Sequence, residues 1–225
     1  MARFPDPEPE PAEPEALAGA LGLVAVTWGI LGGAPLLFAS LGRPAGHLLA
    51  FGLCTGVALW GHRPGPGTRR AVAITGVAIT GAAITRAAIT GAAGLAAGWA
   101  LLPGFSAWIL WAGNALGIPG PVPAGGGQSW PFLLATAVLA PTFEEIVYRE
   151  RLLPALATRI GIAPALLLSS AAFALPHSTP WATLGSFSAG LVLGSAMLVG
   201  RSLALCIGMH SGFNLRLAGF SMESL

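Results

Sequence analysis

The chain has 225 residues, of which 54% are apolar and only 9% charged, with a net charge of +2 and a mean hydropathy of +0.74. A soluble domain carries roughly a quarter charged residues, so this composition excludes an ordinary soluble enzyme and points to a membrane protein. All eleven basic residues are arginine, scattered between apolar runs instead of gathered into a patch, so the net charge says little about nucleic acid and none is expected as a partner.

Residues 1–15, MARFPDPEPEPAEPE, are acidic and proline-rich and read as a disordered tail, without the basic start of a cleavable signal peptide. Residues 16–102 hold the first three apolar runs: Ala16–Leu41, Ala45–Trp60 between Arg43 and Arg63, and Ala71–Leu102, which is long for one crossing. The third contains a pentapeptide repeat, AVAIT-GVAIT-GAAIT-RAAIT. Five residues advance a helix by about 500°, or about 140° net, so Thr75, Thr80, Thr85 and Thr90 spiral around it and cannot line a common pore. Repeat expansion in a tolerant helix is the expectation, with Arg86 snorkelling or paired internally. Residues 103–127, rich in Gly and Pro around FSAWILW, are expected to form a loop suited to the membrane interface.

Residues 128–220 supply four more runs: Trp130–Tyr148, Pro164–Pro176, Trp181–Gly200 and Ser202–Phe220. The expected fold class is therefore all-α, a polytopic bundle of about seven transmembrane spans, because helices satisfy their backbone groups within each segment. Arg3, Arg63, Arg69, Arg70, Arg151, Arg159 and Arg201 then fall on the N-terminal side, against Arg43 and at most Arg216 opposite. The positive-inside rule places that side, with the N-terminus, in the cytoplasm beneath the cell membrane.

The acids mark a site. Six of the nine (Asp6, Glu8, Glu10, Glu13, Glu15 and Glu223) lie near the ends, and the other three, Glu144, Glu145 and Glu150, share the stretch TFEEIVYRER. An ionisable residue in mid-helix costs about 2.5–3.5 kcal/mol on insertion and so marks a functional site. Glu145 and Arg149 are four apart with the acid first, the favourable order for a structural ion pair. Glu144, about 100° round the helix, shares a face with Tyr148 and has no arginine on that face, which suits a general base. Further along stand His177, then His210 and Asn214 four apart on one helix face, with Ser211 beside them. A carboxylate, two imidazoles and an amide can activate water and stabilise an oxyanion, and two His with one Glu is equally a zinc ligand set.

The same residues admit other chemistry. Cys54 and Cys206 read as buried packing thiols. Cys206, His210 and Asn214 are spaced four apart, but one helix face seldom converges on a substrate carbonyl, and nothing there activates the thiol. A proton-coupled transporter would show paired halves, and none is visible. A purely structural ion pair explains Glu145 and Arg149 but not the other four residues.

Three motifs in order, E-E-x-x-x-R (Glu144, Glu145, Arg149), F-x-x-x-H (Phe173, His177) and H-x-x-x-N (His210, Asn214), resemble the CPBP family, which comprises CAAX prenyl protease 2 type enzymes and the Abi bacteriocin-processing or immunity proteins. FSAGLVLG, with Phe187, Gly190 and Gly194, is similar to the glycine-bearing helix of that family. The resemblance covers about residues 128–220. It implies an intramembrane endopeptidase in which Glu144 and His177 activate water, while His210 and Asn214 hold the oxyanion. It also implies a protein or peptide substrate from the cytoplasmic leaflet, lipidated or not, with membrane lipids around it. Non-catalytic members acting as immunity or partner-binding proteins form the alternative. Because Asn214 suits an oxyanion donor better than a ligand, the expected mechanism needs no cofactor, with zinc as the alternative. One departure is Pro176, immediately before His177, which is expected to end or kink its helix. At 1.5 Å per residue, Glu144 and His210 come out about 10 Å inside the cytoplasmic boundary and His177 about 10 Å deeper, so residue counts alone do not bring the three level.

Overall fold

A computed structural model describes residues 14–61, 81–120 and 129–220, which are almost wholly helical, with no strand among them. The expectations for most of the acidic tail, for Thr75 and Thr80 of the repeat, for Arg63, Arg69 and Arg70, and for residues 121–127 lie outside the described residues. Helix α1 (Pro14–Leu41) folds back into α2 (Arg43–Gly61); α3 covers Gly81–Ala115, α4 Trp130–Ile160, α5 Ile162–Ala174, α6 Pro180–Gly200 and α7 Leu203–Phe220. Among the described residues, four helical stretches, Ala16–Leu36, Thr85–Ala115, Trp130–Ile160 and Pro180–Gly200, are long and apolar enough to cross a membrane. The expectation of about seven crossings goes beyond these four. Large apolar side chains such as Leu36, Trp60, Trp111, Trp130 and Val199 are exposed, as a surface solvated by acyl chains and their interfaces requires.

Two expected boundaries are corrected. Residues 103–115, expected in a loop, continue α3 straight through Pro103 and FSAWILW. Pro103 has no N–H for the carbonyl of Trp99, four residues back, which would ordinarily break or kink a helix. Here the Arg216 guanidinium donates to that Trp99 oxygen at 2.6 Å, so the freed acceptor is satisfied from α7 and the helix survives. Second, α4 does not stop at Tyr148 but runs to Ile160, so TFEEIVYRER lies at mid-helix and not at its cytoplasmic end.

Helix α4 is not uniformly α-helical. Residues Ala135–Leu139 and Glu145–Leu152 are π-helical, and each wide turn closes just before a proline, Pro141 or Pro154. A proline ring crowds the preceding turn and withholds a donor, and widening to the π register is a recurrent way to accommodate the insertion, often at functional sites. The first wide turn frees a carbonyl. Ala140 N–H reaches back to Ala135, and the residue five beyond Thr136 is Pro141, so Thr136 has no backbone donor in that register. The Asn214 side-chain amide donates to Thr136 O at 2.7 Å instead.

Two buried clusters form around α4 and α7. Ala20, Val24, Cys54 and Ala58 join Phe143, Val147, Tyr148, Leu152 and Phe173, tying α1 and α2 to α4 and α5. Leu102, Leu193, Met209 and Phe213 tie α3, α6 and α7. Helices α3 and α7 touch through bare backbone. A methyl at Gly98 would fall 2.9 Å from Met209 Cα, and one at Gly208 would fall 2.9 Å from Leu95 N. Gly94 and Gly98 face the backbone of Leu205 and Met209, and Gly208 and Gly212 face that of Gly91, Leu95 and Trp99, each pair in the small-xxx-small spacing by which membrane helices approach closely. The repeat residues Thr85–Ile89, by contrast, are exposed, Arg86 among them.

Candidate active site

The site is built where α4, α5 and α7 meet. Gly161 makes it possible. At φ 83° and ψ 165° it adopts backbone that an L side chain resists, and it turns α4 directly into α5. Arg149 and Phe173 are equally far in sequence from this turn, so the hairpin brings them level, and His177 comes level with Glu145. The depth mismatch expected for His177 arose from ending span four at Tyr148 and starting span five at Pro164; the true turn at Gly161 removes it. Helix α5 stops at Ala174, two residues before Pro176. His177 follows in a tight turn, with its N–H on Ala174 O at 3.1 Å and its own carbonyl accepting from Thr183 Oγ1 at 2.9 Å.

Phe173 is the centre of the arrangement. Its ring meets His177 edge-on at 5.6 Å, His210 at 5.7 Å and Tyr148 at 5.4 Å between centroids. The Arg149 guanidinium carbon lies 4.4 Å from the Phe173 centroid. Arg149 is fully buried, and its terminal nitrogens have no hydrogen-bond partner among the described residues, so the aromatic face is part of what solvates its charge. Arg149 Nε lies 3.2 Å from Glu145 Oε2.

His210 stands between the two adjacent glutamates. Nδ1 donates to Glu145 Oε1 at 2.9 Å, and Nε2 lies 3.5 Å from Glu144 Oε2. Glu145 is sealed, whereas the Glu144 side chain keeps 14% of its surface open. The sequence reading put the two carboxylates on separate faces; the structure gives both of them to one imidazole. Asn214 lies a turn further along α7 and spends one N–H on Thr136, leaving the second. Among the described residues, no hydrogen bond joins Glu144 to His177, and the buried His177 Nδ1 has no hydrogen-bond partner. Among the described residues, no three His, Cys, Asp or Glu side chains group as metal ligands. Glu144, His210 and Glu145 are thus brought into contact directly, and His177 is linked to them through Phe173.

Some contributors were not visible in the sequence. Trp28 Nε1 donates to the Tyr148 hydroxyl at 2.7 Å, fastening α1 to the site. Nothing marks Trp28 out among seven tryptophans. The Thr136 carbonyl is a backbone group, with Pro141 the only hint of it. Phe173 was legible as a motif position, though not as the shared contact of four side chains.

Residues 126–216 match the family model described as type II CAAX prenyl endopeptidase Rce1-like. This segment is similar to that family. The match runs from just before α4 into α7 and contains Glu144, Glu145, Arg149, Phe173, His177, His210 and Asn214, though not Trp28, in agreement with the CPBP resemblance. No curated protein and no solved structure matches the chain. The Rce1-like segment and the long apolar helices together support a CAAX-type intramembrane protease in a multi-pass membrane protein.

Proposed function

We propose that the protein is an intramembrane endopeptidase that hydrolyses a peptide bond in a membrane-associated protein tail of CAAX type, presented from the cytoplasmic leaflet. The observation that carries this reading is Glu144: a partly open carboxylate, without an arginine of its own, facing an imidazole that a second carboxylate holds. In the reaction, Glu144 takes a proton from water as the water oxygen attacks the scissile carbonyl carbon. His177, with its unpartnered Nδ1 on the far edge of Phe173, orients that water. The second Asn214 N–H offers a hydrogen bond to the oxyanion, His210 adds one from Nε2 when that nitrogen carries a proton as well as the Nδ1 held by Glu145, and the proton on Glu144 passes to the leaving amide nitrogen as the C–N bond breaks. Such donors act in a dry site, where each is worth far more than in water. Neither metal nor other cofactor is needed for these steps.

Residues 128–220 form the protease unit in this reading, and helices α1, α2 and α3 brace it. The N-terminus faces the cytoplasm of the cell membrane, where a lipidated tail can enter sideways from the bilayer. The test is comparative membrane proteomics of cells carrying Glu144→Ala. Accumulation of proteins with unprocessed C-terminal tails is the expected outcome and names the substrate. An unchanged set of termini would replace the protease with a non-catalytic immunity or partner-binding role.

A further inference from the structure

The Glu145–Arg149 pair has the form of a structural ion pair, but Glu145 has a second engagement. Its Oε2 faces Arg149 Nε at 3.2 Å while its Oε1 accepts from His210 Nδ1 at 2.9 Å. An ionised carboxylate has no hydrogen to give, so this bond exists only while Nδ1 carries one. The remaining nitrogen, Nε2, is then the one turned to Glu144 Oε2, 3.5 Å away. The charged and titratable groups around His210 are Glu144 and Glu145 from α4, Arg149 behind Glu145, His177 across Phe173 after α5, and Cys206 one turn earlier on α7.

We propose that Glu145 is a positioning residue, fixing the tautomer and ring plane of His210 so that Nε2 faces Glu144 and the reacting atoms. The arrangement of a carboxylate behind an imidazole orients histidines in other hydrolytic and metal sites. Its consequence for turnover rests on the endopeptidase reading, but its consequence for the His210 ring does not. Arg149 then serves Glu145, and Phe173 serves Arg149, so that the E-E-x-x-x-R and F-x-x-x-H motifs converge on one imidazole.

A pair that is only structural should be replaceable by two apolar residues of similar length without harm, because buried ion pairs seldom beat hydrophobic substitutes in stability. The double variant Glu145→Met with Arg149→Met, in nanodiscs and with ¹⁵N-labelled histidine, separates the two roles. The His210 signal is assigned by its loss in His210→Ala. In the wild type Nδ1 should be proton-bearing; in the double variant that state should be lost or averaged, and cleavage of a fluorogenic CAAX peptide should fall about 10–100-fold at near wild-type thermal stability. The single variant Glu145→Gln keeps an acceptor for Nδ1–H while stranding Arg149. It should therefore be the less stable of the two and the more active. A double variant that keeps the Nδ1–H signal, or cleaves within twofold of wild type, overturns the proposal. A wild type that cleaves no CAAX peptide refutes the endopeptidase reading alone, since the tautomer measurement still decides the role of Glu145.

Discussion

Gly98→Ala on α3 tests whether the depth of the site depends on helices meeting without side chains. The added methyl would lie 2.9 Å from Met209 Cα and 2.8 Å from its carbonyl carbon. Carbon atoms rest about 3.5–4.0 Å apart, so the carbonyl-carbon contact alone requires roughly 0.7–1.2 Å, and the Met209 carbonyl oxygen, nearer still, requires α3 and α7 to separate by at least that much. The obstacle is backbone, with no flexible side-chain end to swing away. Met209 immediately precedes His210, so the imidazole moves with it, and the 2.9 Å bond to Glu145 opens to the edge of hydrogen-bonding range. Overpacking of this kind costs about 1–3 kcal/mol, whereas a misplacement of about 1 Å at a reacting group costs about 100-fold in rate. The variant should therefore insert, melt somewhat below wild type and cleave about 100-fold more slowly. Initial rates on a fluorogenic CAAX peptide in nanodiscs, paired with thermal unfolding, measure both effects. Gly104→Ala is the control, because a methyl there meets nothing within 4 Å on the same helix. Wild-type turnover by Gly98→Ala would refute the reasoning, since it would mean that α7 tolerates displacement without moving His210 off its partners.

Glu144→Gln should insert and melt like wild type yet lose cleavage altogether; retained activity, or collapse of the fold, would assign the base elsewhere. Phe173→Ala should cost about 3–5 kcal/mol as a buried aromatic truncation and also remove activity, checked by unfolding and rate measurements on the same preparation. Trp28→Phe and Tyr148→Phe should each destabilise by about 0.5–1.5 kcal/mol for one lost hydrogen bond, and a double-mutant cycle should show the two losses to be shared and not additive. Active purified protein should contain no stoichiometric zinc by elemental analysis, and a zinc content lost together with activity on chelation would replace the metal-free mechanism. Cys206→Ala should leave the rate within a few-fold of wild type, which a thiol mechanism forbids.

Much of the site was legible because ionisable residues are costly in apolar helices and so stand out by their rarity. Glu144, Glu145, Arg149, His177, His210 and Asn214 were all found that way, and the order of their motifs carried the family resemblance. The geometry between them was not legible. Spacing arguments assumed an α-helix of 100° per residue, and the π segment from Glu145 to Leu152 departs from that assumption where it mattered, letting neighbouring carboxylates share one ring. The depth of His177 depended on a single glycine, Gly161, hidden between two apolar runs. The contribution of the first half of the chain was missed because Trp28, Gly94 and Gly98 are ordinary residues whose importance lies in what they touch. Of the repeat, only the exposure of residues 85–89 bears on the tolerant-helix expectation. The boundary at Pro103 failed because the rule that proline ends a helix assumes no outside donor, and Arg216 provides one.

That arginine and its neighbour Asn214 bear on how the protein is made. Pro103 and Pro141 each leave a carbonyl, on Trp99 and Thr136, that its own helix cannot close, and lipid offers no substitute donor. Both donors sit on α7, the last of these helices to be synthesised. During insertion α3 and α4 should therefore enter the bilayer with open acceptors, to be met by these donors only when α7 arrives in the correct register. Nascent chains arrested before Asn214 should remain bound by membrane chaperones or be degraded, while chains extended past Arg216 escape. The two prolines should thus act as a checkpoint in biogenesis, one that a correctly seated α7 releases.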